Sequence, residues 1–301
     1  MPLITLFSAP KPFTNPHIAM IQRNAIKSWT LLPDVEVILL GEEDGLAEAA
    51  KELGVKHISQ VARNANGTPL ISSMFKLARE NSNSDLLCII NADMILMSDF
   101  VEAAKQTVKL KDKFVLLSQR WDYDITTPLD FAAGWESQLR ESVRKQNQLH
   151  RPAGSDFFLF PKSSYQDIPD FIIGRAGWDN WMIYKARAEK WPVIDCTPSM
   201  MIVHQNHDYS HLPGGKSHYE HPDTNENIRL AGGQANIRYT ILDSTHRLVD
   251  GKLARPRMTS QRFMRNVELI LRSIFFFLPE KTIENIARPK RWKKRIKKIF
   301  R

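Results

Sequence analysis

The order of apolar and polar positions predicts strands alternating with helices over the first 120 residues. Leu3-Ile4-Thr5-Leu6-Phe7 reads as a first strand. Asn15-Pro16 then pairs a capping side chain with proline at the first helical position, and Ile18, Ile21, Ala25, Ile26 and Trp29 recur at helical spacing. Val35–Leu40 reads as a second strand closed by Gly41, a helix covers about Asp44–Leu53, and a short strand runs Val55–Ile58. Thr68-Pro69 repeats the cap-and-proline signal and is expected to open a helix through Met74, Leu77 and Ala78. The run Leu86–Asn91 is an unbroken apolar strand of the kind buried in parallel sheets. A helix from about Ser98 follows, with Asp99 and Glu102 spaced like a capping box, and Phe114–Leu117 is another strand.

Past residue 120 the periodicity loosens. A helix around Trp135–Lys145, a strand Phe157–Phe160, a helix from near Trp178 and a strand Met200–His204 are expected, followed by a loop over 205–222 rich in His, Gly and Pro. This alternation predicts an α/β fold with a mixed, mostly parallel sheet flanked by helices. The expected division is a body over 1–250 and a basic amphipathic helical tail over 251–301.

Composition changes the picture at two points. Apolar residues at 43% and charged residues at 25% suit a globular body with a sizeable core. Two cysteines, Cys88 and Cys196, give neither a disulfide framework nor a paired-Cys zinc site, which fits a reducing compartment. The formal net charge of +9 is unevenly placed. Lys252–Arg301 holds 16 of the 42 Lys/Arg and 3 of the 33 Asp/Glu, leaving 26 basic against 30 acidic residues elsewhere. The body is therefore slightly acidic, and the basicity does not mark it as a nucleic-acid binder. No signal peptide is expected, and no apolar run reaches the roughly 18–20 residues that span a bilayer.

Four segments carry candidate chemistry. Asn91-Ala92-Asp93 ends the buried strand, where open α/β sheets collect ligands. A carboxylate there can hold a divalent cation against a diphosphate, and a turn-capping aspartate is the plain alternative. In His204-Gln205-Asn206-His207-Asp208-Tyr209-Ser210-His211, His204 is the first choice of metal ligand and His207 the second, with solvated loop histidines as the alternative. Asp179 in Gly174-Arg175-Ala176-Gly177-Trp178-Asp179-Asn180-Trp181 sits in the first turn of a helix. It suits a general base or merely a helix-stabilising carboxylate. Trp178 and Trp181 offer flat surfaces for sugars or fill the core. Asp156, after a Gly-Ser turn, binds sugar hydroxyls or caps that turn.

With these segments in place, the chain resembles GT-A type nucleotide-sugar glycosyltransferases. It is similar to a bacterial glycosyltransferase-like group in which Phe-Ser-Ala-Pro-Lys-Pro-Phe, Asn-Ala-Asp, Arg-Ala-Gly-Trp-Asp-Asn-Trp and His-Gln-Asn-His-Asp-Tyr-Ser-His recur in this order. The likeness covers about residues 3–245. It implies a GT-A-like, Rossmann-like fold and a metal cofactor, Mn²⁺ or Mg²⁺, on Asp93 and His204, with Asn91 standing where the family keeps the first Asp of its Asp-x-Asp motif. It implies Asp179 as catalytic base in an inverting transfer. Ser8, Ala9, Pro10, Glu42, Arg63 and Asn91 would line the nucleotide, and Asp156, Trp178, Trp181 and His207 the sugar or acceptor. Lys216 would reach the diphosphate. The implied partners are a nucleotide-diphosphate sugar and a surface polysaccharide or lipid-linked glycan. Two rivals stand beside this reading: a nucleotidyltransferase of sugar-nucleotide synthesis, whose usual glycine-rich loop is missing after the first strand, and a non-catalytic glycan- or membrane-binding module.

The tail carries its own expectation. Nine basic residues between Arg288 and Arg301 are interleaved with Trp292, Ile296, Ile299 and Phe300. Such a segment fits an anionic bilayer surface, and implies a cytoplasmic protein peripheral to the inner face of the membrane. A solvated tail or a nucleic-acid patch is the alternative.

Overall fold

The structure is a computed structural model, and it describes residues 1–153, 155–207, 221–275 and 282. The chain divides into two units, Met1–Arg255 and Pro256–Arg301.

In the first unit the elements run β1 (Ile4–Ser8), α1 (Pro16–Thr30), β2 (Val35–Leu40), α2 (Leu46–Leu53), β3 (Lys56–Ile58), α3 (Ile71–Asn81), β4 (Leu86–Ile90), β5 (Met94–Ile95), α4 (Ser98–Val108) and β6 (Val115–Leu117). They continue as β7 (Arg120–Tyr123), α5 (Trp135–Gln146), β8 (Phe157–Pro161), α6 (Trp178–Ala188), β9 (Val193–Asp195), β10 (Ile202–Gln205), α7 (Pro222–Leu230), β11 (His246–Val249) and β12 (Lys252–Ala254). The second unit contains α8 (Ser260–Ile274).

A nine-stranded sheet has the order β12-β11-β9-β6-β8-β4-β1-β2-β3. β1 pairs in parallel with β2 and β4, β2 with β3, and β9 with β6 and β11. β8 runs antiparallel between β4 and β6, and β12 antiparallel to β11. The sheet is thus mixed and mostly parallel. Chain order reverses direction at β1, where β2 lies on one side and β4 on the other. That is the switch point at which such sheets open a crevice at their carboxyl ends.

Period-two alternation assigns each strand residue to one of two cores. Ile4, Leu6, Val37, Leu39, Leu86, Cys88 and Ile90 pack on one face with Trp29, Phe100 and Ala104. Phe7, Ile38, Leu40, Leu87 and Ile89 pack on the other with Phe75, Met182 and Ile183. Helices cover both faces, which is why the central strands read as continuous apolar runs rather than alternating ones. On the second face Phe75 stacks on Phe160 at 5.3 Å and meets Phe7 edge-on at 5.2 Å.

The Asn15 side chain caps α1, accepting from Ile18 N at 3.1 Å. Two local expectations are corrected. Thr68-Pro69 does not open a helix: Pro69 bridges to Arg63 and Leu70 to Ile172 in strand-like pairs, so α3 starts at Ile71. Asp99 and Glu102 form no capping box. Asp99 instead accepts from Met201 N at 2.9 Å and pairs with Arg140 at 2.7 Å, while Glu102 accepts from Gln106. Tertiary partners outcompeted the local cap in both places.

Candidate active site at the carboxyl end of the sheet

The carboxyl edge of the sheet is where the candidate chemistry gathers. The Ser8 hydroxyl at the end of β1 donates to the Ile90 carbonyl at the end of β4, 2.6 Å away. β8 runs the other way, so its first residue, Phe157, pairs with Ile90 and delivers Asp156 to the same edge. There Asn91 N donates to Asp156 O at 2.9 Å, and Asn91 Nδ2 to Asp156 Oδ1 at 3.1 Å. β6 points the same way as β4, so the chain leaves it at this edge and enters β7 with Arg120 and Asp122.

A second, three-stranded sheet in the order β5-β10-β7 sits past that edge. Its register places Met94 opposite His204, and His204 opposite Asp122. Gln205 fastens the Asp93 carbonyl through its backbone N at 3.1 Å and its Nε2 at 3.2 Å. Trp29 Nε1 donates to Met94 O at 2.8 Å from inside the core. The Asn-Ala-Asp turn is thereby held at Asn91 by Asp156 and at Asp93 by Gln205, and Trp29 holds the residue that follows.

The Asp93 side chain faces two imidazoles. Its Oδ2 lies 3.2 Å from His207 Nε2 and 3.8 Å from His204 Nε2, and ligand atoms of all three residues fall within 4.8 Å of one another. Asp93 Oδ1 is buried and has no hydrogen-bond partner among the described residues. One hard oxygen and two imidazole nitrogens form a donor set that suits a divalent cation such as Mn²⁺, and the orphaned oxygen is a buried acceptor such an ion satisfies. Burial pushes the Asp93 carboxyl up, but the His207 hydrogen bond and the charges of His204 and Lys11 outweigh it and hold it well below the usual carboxylate range. Lys11 Nζ, from the loop after β1, stands 3.5 Å from His207 Nε2, and burial lowers its pKa.

Around this trio lies a charged frame. Asp122 takes His150 Nδ1 at 2.7 Å and Arg120 Nε at 2.9 Å, and its Oδ1 is 3.3 Å from His204 Nδ1. Arg120 Nη1 also donates to Asp156 Oδ1 at 2.7 Å. Burial opposes ionisation of Asp122, yet His204, His150 and Arg120 together hold its pKa far below the ordinary carboxylate value. For His204 burial works downward, and Asp122 and Asp93 prevail and raise it above 6.5.

Asp179 occupies the first turn of α6 behind Gly177, whose φ of +112° belongs to glycine and whose added Cβ would meet Ile237 Cγ2 at 3.2 Å. Its pKa is pushed up to about 6, first by burial and then by the negative charge of Asp156, against backbone N–H donors of Asn180, Gly177 and Asp179 itself. A carboxylate that titrates there can accept a proton near neutral pH.

The other expected residues divide. Arg63 and Glu42 come together, Nε to Oε1 at 3.3 Å, and Arg63 also reaches Glu43 at 3.0 Å and the Gly67 carbonyl at 2.7 Å. Ser8 spends its buried hydroxyl on Ile90, so the Ser8-Ala9-Pro10 stretch offers a ligand backbone rather than that side chain. Trp178 and Trp181 are 8% and 6% exposed, with rings edge-on to Phe158 and Phe171, the core placement that was the alternative to a sugar-stacking surface. His207, expected at the sugar or acceptor and second as a ligand, sits with Asp93 and His204. Gly154 and residues 208–220, including His211, Lys216 and His218, lie outside the described residues. Arg120, Asp122, His150 and Lys11 escaped the sequence reading. Only the Arg-x-Asp alternation of β7 hinted at two of them.

No family model matches the chain, and no curated protein matches it. Among solved structures it is similar to a mycobacterial protein at 12% identity and TM-score 0.46, covering 77% of this chain and 76% of that one. It is similar to glucosyl-3-phosphoglycerate synthase from Mycobacterium tuberculosis in complex with Mg²⁺ and uridine diphosphate, at 12% identity and TM-score 0.46 over 85% and 87%. A mannosyltransferase from Pyrobaculum calidifontis in complex with GDP-mannose and Mn²⁺ is similar at 13% identity and TM-score 0.42, over 67% of this chain and 56% of that one. All three are distant in sequence, and the chemistry of this chain rests on its own residues.

Proposed function

We propose that the chain is a GT-A type glycosyltransferase that moves a sugar from a nucleotide-diphosphate donor to a surface polysaccharide or lipid-linked glycan. The observation that carries this reading is the meeting of Asp93, His204 and His207 at the carboxyl end of β4, with the Asp93 oxygen Oδ1 buried and without a hydrogen-bond partner among the described residues. Mn²⁺ or Mg²⁺ held by those residues would neutralise the diphosphate of the leaving group. Asp179, with a pKa of about 6, would take the proton of the acceptor hydroxyl, giving inversion at the sugar. The backbone of Ser8–Pro10 and the Arg63–Glu42 pair would border the nucleotide, and Asp156, fixed by Asn91 and Arg120, the sugar.

The tail would seat the enzyme on the inner face of an anionic membrane. Phe263, Ile270 and Ile274 share one exposed face of α8, each 56% accessible, while Arg265 and Arg272 pair with Glu268 on the opposite face. Nine basic residues follow in the sequence between Arg288 and Arg301. Each basic group near such a surface is worth about 1 kcal/mol. Among the described residues no helix is long and apolar enough to cross a membrane.

The test is nucleoside diphosphate release from UDP- and GDP-sugars, with and without Mn²⁺. Transfer that needs Mn²⁺ and fails in Asp93→Asn and Asp179→Asn is expected. Undiminished turnover in either variant removes that residue from the mechanism. Formation of UTP or GTP together with a sugar 1-phosphate when pyrophosphate is added would mean nucleotidyl transfer, and binding without turnover a non-catalytic module.

A further inference from the structure

The two nitrogens of His204 face different surroundings. Nε2 looks toward Asp93 Oδ2 at 3.8 Å. Nδ1 looks at two oxygens, Asp122 Oδ1 at 3.3 Å and Asn206 Oδ1 at 3.4 Å. The Asn206 amide cannot turn its nitrogen to the ring without losing a bond, because Nδ2 donates to Asp124 Oδ1 at 2.8 Å. An imidazole nitrogen confronted only by acceptors carries the hydrogen, which leaves the lone pair of the neutral ring on the other nitrogen. Asp122 itself has little freedom. Arg120 Nε holds Oδ1 at 2.9 Å, His150 Nδ1 holds Oδ2 at 2.7 Å, and the β10–β7 ladder sets its backbone directly opposite His204.

We propose that Asp122, braced by Arg120 and His150, is a positioning residue that fixes the tautomer and ring orientation of His204, so that Nε2 presents its lone pair to a divalent cation shared with Asp93 and His207. The cation part rests on the reading given under Proposed function; the tautomer part rests on contacts within the protein. Metal-ligating histidines commonly donate their other N–H to a carboxylate, and losing that carboxylate typically weakens metal affinity by about 10- to 100-fold. Asp122 does not touch the ion in this scheme, and acts only through the ring.

The experiment uses the full chain as wild type, Asp122→Ala, Asp122→Asn and Asp93→Asn. Long-range ¹H–¹⁵N NMR of the metal-free protein, at a pH where the ring is neutral, reads the His204 tautomer, with the signal assigned by its loss in His204→Gln. Calorimetry reads Mn²⁺ affinity. Wild type is expected to carry the hydrogen on Nδ1. Asp122→Ala should give a mixed tautomer and Mn²⁺ affinity lower by roughly 10- to 100-fold. Asp122→Asn can keep an amide oxygen on Arg120 and His204, and should hold the tautomer and lose less affinity. A wild-type ring carrying its hydrogen on Nε2 overturns the proposal without any variant. A folded Asp122→Ala with unchanged tautomer and affinity also overturns it. Loss in Asp122→Ala as complete as in Asp93→Asn would make Asp122 a direct ligand, which overturns the positioning role. Wild type that binds no Mn²⁺ sinks the metal reading, while the tautomer still decides for or against Asp122.

Discussion

Replacing Asp179 with Asn should stabilise the protein above pH 6 while removing the proposed transfer activity. A carboxyl raised in the folded state from an ordinary 3.8 to about 6 is protonated there while the unfolded chain is already ionised. The folded state therefore binds the extra proton between those values, and its stability falls as pH climbs through that window and then levels off. At 1.36 kcal/mol per pH unit the full penalty is about 3 kcal/mol. Asn keeps the oxygen that accepts the backbone N–H groups and never ionises, but its own N–H₂ needs a partner. The net gain at pH 7 is accordingly expected at about 1–3 kcal/mol, which corresponds to about 2–4 °C in Tm per kcal/mol for a body of this size. Reversible urea unfolding of both proteins across the pH range would show the variant gaining on the wild type as pH climbs from about 4 to 7, by up to about 3 kcal/mol. A difference that is constant with pH, or a variant less stable throughout, would refute the claim that burial holds this carboxyl up. The same ionisation should appear as a limb in the pH–rate profile, with turnover rising through about pH 6.

Asp93→Asn removes the anionic member of the proposed Asp93–His204–His207 cation site, and Mn²⁺ affinity by calorimetry should fall by at least about tenfold. Affinity in the wild type should also drop as pH falls, beginning at a higher pH than for an ordinary imidazole, because the raised pKa of His204 lets protons compete for its nitrogen. Trp29→Phe deletes the Nε1 donor to Met94 O, and the orphaned buried acceptor should cost about 1–3 kcal/mol in urea unfolding. Deleting 256–301 should abolish co-sedimentation with anionic vesicles while leaving donor hydrolysis intact, and the full chain should release those vesicles as salt rises. Equal retention on zwitterionic vesicles would argue against the electrostatic component.

What the sequence showed depended on how locally each feature is encoded. β4 announced itself because a strand buried on both faces is apolar at every position, and Asp93 stood out as the charge that ends the run. His204 was legible for the same reason, closing the Met200–Val203 stretch. Asp122 and His150 were not. β7 has four partly buried residues with no run to read, and its partner β10 lies about eighty residues later, so nothing local joins His204 to Asp122. Trp178 and Trp181 are three residues apart on one helical face, and spacing alone does not say whether that face meets the sheet or a ligand. Asp99 matched a capping pattern, yet Arg140 and the Met201 amide claimed its carboxylate.

The small β5-β10-β7 sheet carries a kinetic consequence. Its strands come from positions 94–95, 202–205 and 120–123, so closing it demands large loops that are entropically expensive before any contact rewards them. The pairing of Met94 with His204 should therefore be among the latest events of folding, after the nine-stranded sheet has consolidated. Ion capture would then lag behind the recovery of helical signal in a refolding trace, and would serve as a clock for the final docking step.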